Sequence, residues 1–196
     1  MSEAADRLRA ASAEYVQAGP GLRLPIDGLE HVVAGVLGAL PETAWWVPGP
    51  REAVGAVLRD VPPERLADPN RGAKPYKVAP VSHAPATRAL QAVGLALASG
   101  GPVAVHLGMA ALGDGAFVEA LNVAALKRAP VVFVLAQREL GDDAPIGPQS
   151  AALATAIGET YGVLVASVSG ADEAAVGQAI HDAVAAGGPA LVLANL

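Results

Sequence analysis

The second half of this chain repeats one pattern: a helical stretch followed by a short, continuous run of aliphatic and β-branched residues. Stretches at 86–99, 114–128, 150–161 and 171–186 lead to runs at 102–107, 130–136, 163–168 and 189–194. The alternation predicts a parallel sheet with crossover helices, because parallel neighbours need a connection long enough to return to the same end of the sheet. The uninterrupted apolar runs predict strands buried on both faces. Ligands in such sheets bind beyond the carboxyl ends of the strands. The tips at 108–113, 137–149 and 169–170 are therefore where a site is sought.

The first half reads as mostly helical. Residues 3–18 form one helix, stopped by Gly19-Pro20-Gly21. Asp27 is expected to cap a second helix whose apolar face carries Leu29, Val32, Val33, Val36, Leu37 and Leu40. A strand is expected around 44–47, a helix at 51–60 and a short one opened by Pro62-Pro63. The Pro-rich stretch from Asp68 to Pro85 reads as a long surface loop. Ser169 is expected to cap the last helix, with Asp172 and Glu173 in its first turn. The resulting division is an amino-terminal helical extension, 1–26, and an α/β domain, 27–196.

Composition removes several function classes. There is no cysteine, which excludes disulfides, thiolate metal sites and cysteine nucleophiles and suits a reducing, cytoplasmic setting. The net charge is −6, with Lys only at 74, 77 and 127. Nucleic acid is not an expected partner, since phosphates require a basic face. No apolar run reaches the roughly 18 residues of a membrane span, and the charged amino terminus does not read as a signal peptide. Only 16% of residues are charged and mean hydropathy is positive. A surface so poor in charge predicts a subunit interface. The helices at 86–99 and 114–128 are its expected centre, with Ala92, Gly94, Ala96, Ala98, Ala120, Ala124 and Ala125 permitting close approach.

The segment Phe117-Val-Glu-Ala-Leu-Asn122, followed by Ala129-Pro-Val-Val-Phe133, resembles the α subunits of thiamine-diphosphate-dependent 2-oxoacid dehydrogenases. The likeness extends to Gly28-Leu-Glu-His-Val-Val, Trp46-Val, Pro50-Arg51-Glu and Val61-Pro-Pro-Glu-Arg-Leu. It also reaches Gly170-Ala-Asp172 and Gly188-Pro189-Ala-Leu. It covers about residues 27–194. It implies the thiamine-diphosphate-binding α/β fold, a mostly parallel sheet with helices on both faces. It also implies a cofactor held through Mg²⁺ and a β-type partner subunit that supplies the activating glutamate.

In the family, the Mg²⁺ ligands come from a Gly-Asp-Gly at one strand tip and an Asn-Asn beyond the next strand. Gapless alignment on Phe117 to Asn122 places these on Gly108-Met109-Ala110 and Gln137-Arg138. A thioether does not suit a hard cation, and Arg138 is itself a cation. Gly113-Asp114-Gly115 matches the motif by eye but lies beyond the strand end expected at Leu107. Asp114 is better placed to cap the helix at 114–128. Pro50 replaces the tyrosine of the family's Tyr-Arg pair while Arg51 remains. The loop Glu139 to Gln149 contains no histidine where the family carries a catalytic one. Its three acids, two Gly and two Pro predict an acidic, mobile segment.

Arg51, Gly108, Asp114 and Gln137 are therefore vestigial cofactor positions, with no catalytic residue and no metal ligand assigned. The four histidines are expected to be structural, His83 being the one weighed for a site. Glu119 is expected to be a structural hydrogen-bonding residue. The reading carried forward is a non-catalytic homologue that scaffolds or regulates, as a homo-oligomer or with a β-type subunit, and binds no cofactor. Two others stay open. One is an active subunit of a 2-oxoacid dehydrogenase or decarboxylase, holding thiamine diphosphate with Mg²⁺ through Asp114 and Arg51. The other is the pyrimidine-binding half of a sulfopyruvate-type decarboxylase, which lacks the metal motif by design and for which Leu112-Gly-Asp-Gly would be the glycine-containing loop. An unrelated nucleotide-binding domain is disfavoured, because no Gly-x-Gly-x-x-Gly follows a strand.

Overall fold

A computed structural model describes residues 2–17, 23–66, 68, 73–137 and 154–196. Arg138 and the 139–149 segment lie outside the described residues. Five parallel strands form one sheet in the order β1-β2-β3-β5-β4. They are β1 (Trp45–Val47), β2 (Val103–Gly108), β3 (Val131–Gln137), β4 (Leu164–Ser169) and β5 (Ala190–Asn195). The helices are α1 (Glu3–Gln17), α2 (Glu30–Ala39), α3 (Ala73–Tyr76), α4 (Pro85–Ser99), α5 (Gly115–Lys127), α6 (Ala154–Thr160) and α7 (Glu173–Ala185). Turns of 3-10 helix cover Glu52–Arg59, Pro63–Arg65 and Met109–Gly113.

Strand alternation splits the core into two layers. Trp46, Ala104, Val132, Val134 and Val192 face one side, under α1, α2, α7 and the 52–59 turns. Val105, Leu107, Phe133, Leu135 and Leu193 face the other, under α4, α5 and α6. The expected fold class is thus observed, with helices on both faces of a parallel sheet. Leu8 and Tyr15 of α1 are buried in the same cluster as α2. Ser2 Oγ donates a hydrogen bond to Glu173 at the start of α7, so the amino-terminal segment packs into the domain. No helix among the described residues is long and apolar enough to cross a membrane.

Several local expectations are corrected. Asp27 does not cap α2: Asp27 (φ 20°) and Gly28 (φ 75°) form a turn, and the helix starts two residues later with Leu29 at its N-cap. Ser169 stays in β4, because Gly170 N–H donates to Asn195 C=O at 2.7 Å and prolongs the ladder. Asp172 caps α7 instead, its Oδ1 accepting from Ala175 N at 3.0 Å. β2 runs one residue further than expected, since Gly108 still pairs with Ala136. The 68–85 stretch is not all surface loop, because it contains α3 and a bridge from Val78 to Trp46 that buries Val78 and Ala79. β4 is not buried on both faces; as an edge strand it leaves Leu164 47% exposed.

The small residues of α4 and α5 also serve a different end. Ala92, Ala96, Ala120 and Ala124 are buried where these two helices pack on each other within the chain. Only Gly94 and Ala98 of the expected interface set are exposed, and Ala125 is half-buried.

Candidate functional site

The β2–β3 register sets Gly108 beside Ala136, so Gly108 and Gln137 meet at the carboxyl edge of the sheet. That edge is partly closed by the chain itself. Leu196 N–H donates to Gln137 C=O at 2.9 Å, and Asn195 Nδ2 donates to Ser167 Oγ at 2.9 Å. The Gln137 residue is exposed, leaving its amide oxygen as the hard donor at this tip.

Met109 follows Gly108 into the 3-10 turn and packs, partly buried, against the apolar cluster under α4 and α5. Asp114 comes only after that turn. It is the N-cap of α5, with Oδ1 accepting from Ala116 N at 3.0 Å. Asp114 therefore belongs to the helix start and not to the strand end. Arg51 follows β1, and its guanidinium donates to Pro25 C=O at 3.2 Å. The structure brings Gly108 and Gln137 together and separates Asp114 from them in chain and in role.

A thiamine diphosphate held through Mg²⁺ requires hard oxygen ligands in near-octahedral array. Around the β2 and β3 tips the described residues offer the side-chain amide oxygens of Gln137 and of Asn195 beside it on β5, while the Asp114 carboxylate beyond the 3-10 turn caps α5. No group of three or more His, Asp or Glu side chains that could hold a metal ion occurs among the described residues. Among the described residues this donor set does not fit the metal.

Sequence reasoning missed a buried polar cluster behind this edge. Arg88, near the start of α4, is 4% exposed. Its Nε donates to His106 C=O at 3.2 Å and its Nη1 to Ser82 C=O at 2.6 Å. Glu52 is buried across Gly49 from it; a Cβ on Gly49 would overlap Glu52 Oε2 and stand 3.0 Å from Arg88 Nη2. Burial pushes the Glu52 carboxyl up, opposed by its own and Gly49's backbone N–H groups and by the Arg88 and Arg51 charges. Burial lowers Arg88, opposed by Glu52. His106 is pushed down to about 3, by burial first and by the Arg88 charge second. The available signal was a lone arginine on the alanine face of the 86–99 helix, which needs a buried partner.

His31 lies 3.5 Å from Glu173 Oε2, while His83 and His181 are exposed. Glu119 is exposed on α5 and its side chain makes no hydrogen bond among the described residues, so it is not the structural hydrogen-bonding side chain expected.

The profile of the dehydrogenase E1 component family matches residues 76–192. The 3-methyl-2-oxobutanoate dehydrogenase subunit alpha of Mycobacterium tuberculosis, strains CDC 1551 and H37Rv, is 32% identical over 190 residues. That match covers 87% of this chain and 51% of the relative, so the chain spans about half the length of the curated relatives. Among solved structures, transketolase of Campylobacter jejuni superposes with a TM-score of 0.71 at 19% identity, covering 98% of this chain and 37% of that one. A Mycobacterium smegmatis protein assigned as thiamin diphosphate-dependent gives 0.59 at 21% identity, covering 90% and 35%. At these identities the two solved structures establish the fold alone.

Proposed function

This chain belongs to the dehydrogenase E1 component family, and on that premise we propose that it is a non-catalytic α-subunit homologue that acts as a scaffold or regulator. The reading rests on Met109, a thioether partly buried against apolar residues at the position that gapless alignment on Phe117 to Asn122 gives the family's metal-binding carboxylate. Asp114 supports it, since its carboxylate is committed to the α5 cap. Arg51, the retained half of the family's Tyr-Arg pair, donates to Pro25 C=O. On this reading the α/β fold is kept without a metal anchor. The protein acts in the cytoplasm, associated with itself or with a β-type subunit.

Titration calorimetry tests the proposal with thiamine diphosphate and Mg²⁺ added to the chain. Removing even a supporting partner weakens a metal site about 10–100-fold, so absence of the ligands themselves predicts no measurable Mg²⁺-dependent heat. A micromolar, Mg²⁺-dependent affinity overturns the reading in favour of an active subunit. Amide exchange across 139–149 supplies a second readout, and no change in protection on cofactor addition is expected.

A further inference from the structure

We draw no further inference here: the strongest candidate, the open edge of β4 with the apolar groove beside α7 lined by Leu164, Ala166 and Val168, carries none because nothing in the structure shows what covers it.

Discussion

The indole of Trp46 and the imidazole of His106 meet edge to face across β1 and β2, with ring centroids 5.7 Å apart and planes at 90°. Trp46 Nε1 and His106 Nε2 are both buried without a hydrogen-bond partner among the described residues. The contact sits on the layer under α2 and the 52–59 turns, backed by Arg88 through the His106 carbonyl. An unsatisfied imidazole there stays neutral, because a charged ring would have to be desolvated beside a guanidinium.

That neutrality makes stability depend on acid. The folded value for His106 lies at about 3, against about 6.5 in the unfolded chain. Between those limits the unfolded state binds a proton that the folded state refuses, so stability is fully present above the unfolded value and is lost as pH falls towards 3. Urea unfolding of the wild type between pH 7 and pH 4 should show this decline. His106→Phe, which keeps an aromatic ring against Trp46, should flatten it by a large part of the slope. Parallel curves for the two proteins would refute the assignment.

Arg88 and Glu52 should behave as a buried charge couple. Arg88→Met removes the stronger of the two opposite charges acting on Glu52, leaving Arg51, and should cost about 3–5 kcal/mol. Replacing both, as Glu52→Leu with Arg88→Met, should recover at least about 1 kcal/mol of that loss. Chemical denaturation of the single and double variants decides it, and additive losses would show that the two charges do not interact.

Two glycines of α2 should respond in opposite directions. A Cβ on Gly35 would stand 2.6 Å from Glu173 O and 2.9 Å from Val176 Cβ, where α2 packs on α7. Gly35→Ala should therefore destabilise by about 1–3 kcal/mol. Nothing lies within 4 Å of a Cβ on Gly38, and Gly38→Ala should stabilise by about 0.5 kcal/mol. Thermal melts of the pair check the direction. Equal effects would mean that the α2–α7 approach is looser than described.

Asp114→Ala should cost about 1 kcal/mol through loss of the α5 cap. It should leave the calorimetric response to thiamine diphosphate and Mg²⁺ unchanged. A cofactor affinity present in the wild type and lost in this variant would return Asp114 to the metal and displace Met109 from the argument.

The alternation of apolar runs with helical stretches was enough to predict the parallel sheet and its two helical layers, because side-chain period and chain reach are local properties. The Asp114 cap was legible for the same reason: an acid before a helical run satisfies amides within three residues of itself. Caps failed where a turn intervened. Asp27 looks like a cap in sequence, but its positive φ beside Gly28 spends it on a bend.

At the candidate site, the expectation that Met109 stands where the family places a carboxylate came from the resemblance anchored on Phe117 to Asn122, and the calorimetry above is what tests it. Only the tertiary structure decided where the alanines of 86–99 and 114–128 point, since two helices with small faces pack on each other as readily as on a partner. It also decided that Glu52, Arg88 and His106 share one buried pocket, although 36 and 18 residues separate them along the chain. The same holds for the open edge. Strand order depends on crossovers and on free energies summed over the whole sheet, so nothing within Leu164–Ser169 marks it as the outermost strand.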